Sequence, residues 1–140
     1  QGFIFYTDYE SRKGRELAEN PHASLHFFWR LLERQILTEG KVEKVSREKS
    51  VAYFNSRPNE SRASTIVSHQ SSTIDNPDSL IQQQKILLQS HKEFICPERW
   101  GGYSLRPWRV EFWQGGPNRL HYREVYEQNN GKWQASFLAP

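Results

Sequence analysis

A single cysteine, Cys96, occurs in the 140 residues of the chain. That excludes an internal disulfide and a cysteine cluster on a metal. Cys96 reads instead as a small apolar residue, buried or half-buried. No apolar run approaches the length that crosses a membrane, so no membrane partner is expected. No signal-peptide pattern opens the sequence, and a soluble, cytoplasmic protein is the expectation. Repeats and low-complexity tracts are missing too. The basic residues are dispersed and form no basic arm. The net charge of +3 and the pI of 9.1 express a mild preference for anions without calling for nucleic acid. Hydrophobic residues make up only 36%, but 14% of the chain is aromatic, with five Trp, six Tyr and eight Phe. Those rings offer much burial per residue. A single domain follows, with an aromatic-rich surface of the kind found at interfaces. Its first residues already read as strand, so the start resembles the middle of a domain.

Period and punctuation divide the chain into short elements. Gly2 to Thr7 reads as a strand, and Arg12 to Asn20 as a short helix capped by Ser11. Ala23 to Arg30 and Gln35 to Val45 read as strands, with Gly40 a candidate bulge or bend. Ser46 caps a helix to Asn55 whose apolar stripe holds Val51 and Phe54. Ser61 to Ser68 reads as a second short helix, and His69 to Asn76 as a polar loop. Pro77 to about Phe94 reads as the longest helix, with Leu80, Ile81, Ile86, Leu87 and Leu88 inward and Gln82 to Lys85 solvated. Tyr103 to Trp113 and Arg119 to Glu127 form a hairpin across Gly115-Gly116-Pro117-Asn118. Asn129-Asn130-Gly131 turns into a last strand, Lys132 to Leu138. Turns and short helices between successive strands favour a mainly β fold, an antiparallel sheet, curled or closed, with flanking helices.

Four clusters could carry chemistry. Strand alternation puts Arg119, His121 and Arg123 on one face, with Leu120, Tyr122 and Val125 largely on or near the other. Two guanidinium groups and an imidazole suit an anion and a proton transfer, and they suit a solvated face equally well. Arg12 and Lys13 sit at a helix N-terminus, where free N–H groups already favour phosphate; they could also be a basic first turn that is merely solvated. Tyr53 and Arg57 share a helix face, with Ser61 just beyond Pro58; they could hold a phosphate and a ring, or simply pack together. The loop Ser68-His69-Gln70-Ser71-Ser72 could meet the edge of a heterocycle or only cap the next helix. His69 and His121 make no metal spacing with any carboxylate, so no metal is expected. His22, His26 and His91 read as incidental.

These segments together resemble the pyridoxamine (pyridoxine) 5′-phosphate oxidase family. The matching text is Phe5-Tyr6-Thr7-Asp8-Tyr9-Glu10-Ser11-Arg12-Lys13-Gly14, Glu33-Arg34-Gln35 and Tyr53-Phe54-Asn55-Ser56-Arg57-Pro58. It continues through Val67-Ser68-His69-Gln70-Ser71-Ser72, Trp100-Gly101-Gly102-Tyr103, Glu111-Phe112-Trp113-Gln114-Gly115 and Asn118-Arg119-Leu120-His121 to the terminal Leu138-Ala139-Pro140. The resemblance implies an FMN-binding split β-barrel and a homodimer with sites shared between subunits. It implies oxidation of pyridoxine or pyridoxamine 5′-phosphate to the aldehyde, with dioxygen as acceptor. Carried over, Tyr6, Thr7, Arg12 and Lys13 would hold FMN and its phosphate. Gln35, Gln70, Ser71, Trp113 and Arg123 would complete the flavin site. Tyr53, Arg57 and Ser61 would hold the substrate phosphate, and Arg119 and His121 would lie over the reacting ring. The chain departs from the family pattern in four places. The family's preceding strands have no counterpart here. Tyr122 stands where Asp is usual, and Phe137 where Arg is usual. Arg62-Ala63-Ser64-Thr65 replaces the usual Gln-Ile-Gly-Ala. Two rivals differ in class: a non-catalytic FMN- or pyridoxal-phosphate-binding protein of this fold, and a nucleic-acid-binding barrel. The second is disfavoured because its aromatics fall on strand faces expected in the core.

Overall fold

The computed structural model describes residues 2–90 and 92–140; His91 lies outside them. Among the described residues there are six strands and four helices, in the order β1 (Phe3–Asp8), α1 (Arg12–Glu19), β2 (His22–Trp29), β3 (Arg34–Lys44), α2 (Arg47–Ser56), α3 (Asn59–Val67), α4 (Pro77–Gln89), β4 (Trp100–Gln114), β5 (Tyr122–Asn129) and β6 (Lys132–Phe137). The chain divides into two compact units. One is built on Pro21–Val42 and Leu105–Pro140, the other on Ile4–Asn20 and Glu43–Ser104. Strands β1, β3 and β4 contribute residues to both.

The first unit is sheet, with the strands in the order β2-β3-β4-β5-β6. Pairing is antiparallel for β2 with β3, β4 with β5 and β5 with β6. Asn130 (φ 50) and Gly131 (φ 77) make the β5–β6 turn, the backbone that a two-residue hairpin demands and that Asn-Gly supplies. Gly40 is not a bulge: the β2–β3 register runs unbroken through Ala23↔Gly40. Glycine is needed there because a Cβ would overlap the Arg106 carbonyl oxygen and the Leu105 side chain. Strand β5 begins at Tyr122, so Arg119 and His121 precede it and strand alternation does not reach them. Arg119 lies in a 3-10 turn, Pro117–Arg119, and both Asn118 (φ 54) and Arg119 (φ 64) are left-handed. Val125, 1% exposed, is two residues from Arg123 and shares its face, while Tyr122 falls on the other.

The second unit packs α2, α3 and α4 around Phe54, Ala63, Phe94, Cys96 and Trp100, and there β1 pairs with β4. Ser11 and Ser46 cap their helices as expected, accepting from the Gly14 and Lys49 N–H groups. Helix α3 starts two residues earlier than the sequence pattern suggests, at Asn59 behind Pro58. Helix α4 ends at Gln89, well short of Phe94. Beyond it Phe94 and Cys96 are buried while Ile95 is exposed, the alternation of an extended chain. The inward face of α4 is also thinner than expected. Leu80, Leu87 and Leu88 are half-buried, whereas Ile81 and Ile86 are exposed. Gln84, expected in solvent, donates from Nε2 to the Glu60 carbonyl and to Ser64 Oγ, tying α4 to α3. The Cys96 thiol is pushed up by burial, with Arg47 pulling the other way.

Candidate active site

In the second unit a cleft of about 540 Å³ opens between β1, α2, α3 and the loop after α3. Two groups of residues that the sequence assigned to separate ligands meet in it: Tyr6, Thr7 and Gln70 on one side, Tyr53 and Arg57 on the other. Its floor is a stack of rings. Tyr6 lies 3.8 Å from Tyr53 at 16°, and Trp100 runs nearly parallel to both. The Arg57 guanidinium sits 5.1 Å from the Trp100 ring, where a ring face attracts a cation. Burial, and next the neighbouring Tyr53, push the Tyr6 phenol up, so Tyr6 stays a neutral hydrogen-bonding group.

The polar wall is ordered by short bonds. Thr7 Oγ1 donates to Gln70 Oε1 at 2.6 Å, and the Asp8 N–H reaches the same oxygen at 3.4 Å. The amide oxygen of Gln70 is therefore occupied, and its NH₂ remains to donate to a ligand. Lys13 Nζ donates to Thr7 Oγ1 at 3.3 Å, which brings a charge to the end of β1 beside the α1 N-terminus. Arg12 points elsewhere: it pairs with Glu16 at 2.8 Å on the exposed side of α1. Ser71 carries φ 70 and lies in the turn closed by Ser72 N–H on the His69 carbonyl. That turn presents Gln70 to the cleft, and Ser71 itself does not line it. Ser61 does not line it either; Ser64 and Thr65, one turn further along α3, do.

Asp8, which lines the cleft, and Arg99, which pairs with it, were not singled out from the sequence. Arg99 Nη1 meets Asp8 Oδ2 at 2.8 Å, with side chains 12% and 4% exposed. The same guanidinium donates to the Thr65 and Ile66 carbonyls at the end of α3. One arginine thus fastens β1, which carries Thr7, to the helix that carries Thr65. Ninety-one residues separate the ion-pair partners, so no local pattern announces them.

The remaining candidates belong to the first unit. The Gly116 N–H donates to His121 Nδ1 at 3.2 Å, which leaves the proton of the neutral ring on Nε2. The imidazole lies 4.8 Å from the Trp113 ring. Among the described residues no partner holds Arg119. Gln35 and Trp113 line a second cleft of about 380 Å³. Gln35 Oε1 is 2.8 Å from His26 Nε2, so His26 is not incidental. Arg123 is committed within the sheet, donating from Nε to Glu111 Oε1 at 2.7 Å and from Nη1 to the Ala139 carbonyl. Glu111 also takes Arg109 at 2.8 Å.

The hydrogen bond from Arg123, reinforced by Arg109, holds the Glu111 carboxyl below its usual value of 4.5 against the opposing effect of burial. A lowered folded-state pKa stabilises the fold above the unfolded value, and that contribution fades as pH falls through the folded value. Thermal melting followed downward from pH 5 should therefore be steeper for the parent chain than for Glu111→Gln. Identical pH slopes would show that the triad contributes nothing to acid stability.

Solved structures fix the class of fold. A crystal structure of PhzG from Burkholderia lata 383, in complex with tetrahydrophenazine-1-carboxylic acid, superposes with a TM-score of 0.94 at 33% identity, over 100% of this chain and 69% of that one. An FMN-binding protein of Nostoc punctiforme PCC 73102, related to pyridoxamine 5′-phosphate oxidase, gives a TM-score of 0.77 at 15% identity, over 100% of this chain and 77% of that one. The fold is a split β-barrel of mainly antiparallel sheet with flanking helices. Residues 1–85 match the model of the pyridoxamine 5′-phosphate oxidase family, and residues 100–140 match the C-terminal dimerisation region of pyridoxine 5′-phosphate oxidase. The chain belongs to the pyridoxamine 5′-phosphate oxidase family. Curated relatives named pyridoxine/pyridoxamine 5′-phosphate oxidase are 46% identical in Pseudomonas paraeruginosa and 49% identical in Paraburkholderia phytofirmans. Each is matched by the whole of this chain, which spans 66% and 67% of their respective lengths.

Proposed function

We propose that the chain acts as an FMN-dependent oxidase converting pyridoxamine or pyridoxine 5′-phosphate to pyridoxal 5′-phosphate, with dioxygen as the final acceptor. The observation that carries this reading is that one cleft is lined by Thr7 and Gln70, to which Lys13 is bonded through Thr7, by Arg57 and by the stacked rings of Tyr6, Tyr53 and Trp100. Cations and flat rings gathered about one cleft suit flat, phosphorylated partners. The residues fit FMN: Lys13 and the α1 N-terminus would take its phosphate, and Gln70 would donate its free NH₂ to an acceptor on the ring edge. The chemistry FMN supplies when bound is acceptance of a hydride from the 4′ carbon, with the electrons leaving to dioxygen as hydrogen peroxide. Arg57 and Tyr53 would hold the substrate phosphate. His121, with Nε2–H left to donate, and Arg119 would orient the ring. Homodimerisation would complete each site from a second copy, with Gln35, Trp113 and Arg123 on the flavin side.

The test is peroxide release with pyridoxine 5′-phosphate, with bound flavin measured on the same sample. Retained flavin without peroxide would favour a non-catalytic binding protein, and neither would refute the reading. The PhzG likeness favours a second substrate class, a reduced ring bearing a carboxylate. The same assay on such a ring separates the two. Within the proposal Lys13 should matter more than Arg12, because Arg12 is turned toward Glu16. Lys13→Ala should weaken FMN retention on gel filtration by tenfold or more, roughly the worth of one charge-assisted hydrogen bond. Arg12→Ala should change it little. Equal losses, or none from Lys13→Ala, would remove Lys13 from the phosphate site.

A further inference from the structure

Arg57 leaves α2 at its C-terminal cap, with an extended backbone (φ −83, ψ 153). A long side chain on such a residue has many rotamers, and a site that needs its guanidinium must restrict them. Two contacts do so. The Trp100 ring lies under the guanidinium at 5.1 Å. Thr65 Oγ1 accepts from Nη1 at 2.7 Å. The ring fixes the plane of the group but leaves it free to slide and turn in that plane, and only the hydroxyl fixes its direction. The hydroxyl is itself oriented, since Thr65 Oγ1 donates to the Ser61 carbonyl one turn back at 2.9 Å. Its proton is thus spent on α3, and a lone pair faces Arg57. Among the described residues this is the hydrogen bond the Arg57 side chain makes. Four of its five N–H groups are left for a ligand.

We propose that Thr65 is a positioning residue: it aims the Arg57 guanidinium into the cleft and thereby sets how strongly the site prefers a phosphorylated ring to the same ring without phosphate. The inference rests on the cleft being the seat of the substrate phosphate. Ser64 has no such role, because its hydroxyl is engaged with the Glu60 carbonyl and with Gln84.

The test is equilibrium binding of pyridoxine 5′-phosphate and of pyridoxine to the full chain, by calorimetry. Thr65→Val keeps the branched shape and removes the hydroxyl. It should raise the Kd for the phosphorylated ligand about tenfold and leave that for pyridoxine unchanged. Thr65→Ser should restore the preference. In an Arg57→Ala background Thr65→Val should add nothing, because both act through one guanidinium. Undiminished binding of the phosphorylated ligand by Thr65→Val would overturn the proposal while leaving the cleft reading intact. Equal loss for both ligands, or a lowered melting temperature that Thr65→Ser does not rescue, would make Thr65 a structural residue and overturn it too. A parent chain that binds the two ligands alike would overturn the cleft reading and this inference with it.

Discussion

Arg99→Ala should cost about 3–5 kcal/mol of unfolding free energy, the usual result of removing one partner from a buried ion pair. Asp8 would be left as a carboxylate 3% exposed, and the Thr65 and Ile66 carbonyls would lose their donor. The cost comes from stranding a charge more than from losing an attraction. The paired replacement Asp8→Asn with Arg99→Met should therefore recover much of the stability, because the amide oxygen can still accept from the Glu10 N–H. Urea unfolding of the parent chain and the two variants gives the answer. A loss for Arg99→Ala within the range of about 0–1 kcal/mol typical of exposed pairs would mean that the site is wetter than its burial implies.

Arg57→Ala should raise KM for pyridoxine 5′-phosphate between about tenfold and a hundredfold, corresponding to the roughly 1.5–3 kcal/mol of hydrogen bonds to a charged group. The effect should fall on KM, because a phosphate remote from the reacting carbon is bound alike in ground and transition states. Flavin content should not move. A matching fall in kcat with unchanged KM would place Arg57 at the reacting centre and remove it from the phosphate. Loss of flavin would assign it to the cofactor.

What could be read from the sequence was local. Ser11 and Ser46 announce helix starts because a cap needs only its own hydroxyl and an N–H three residues on. Asn130-Gly131 announces a turn because few other pairs accept two left-handed residues. Legibility fails where distant parts of the chain decide. The apolar pattern of α4 runs on through Phe94, but Phe94 and Cys96 are drawn into a core made by Phe54, Ala63 and Trp100, and the backbone straightens to deliver them. The alternation that aligned Arg119 and His121 with Arg123 assumed a strand across residues where the chain is still turning. Thr65 was not legible as a partner of Arg57, because Pro58 breaks the helix between them and spacing along one helix face does not carry across the break. The cleft itself was legible in Tyr6, Thr7, Gln70, Tyr53 and Arg57. That they share one cavity was not, because sixty-three residues separate Thr7 from Gln70.

Cys96 gives the helical unit a built-in clock. It is the single thiol of the chain, 5% exposed, and burial keeps it in the unreactive protonated form. An alkylating reagent can reach it only in molecules where the packing around Phe54 and Trp100 has come apart. The labelling rate in a large excess of reagent therefore counts opening events of that core under native conditions. Slower labelling in the presence of a ligand would measure, in units of time, how firmly an occupied cleft holds the unit shut.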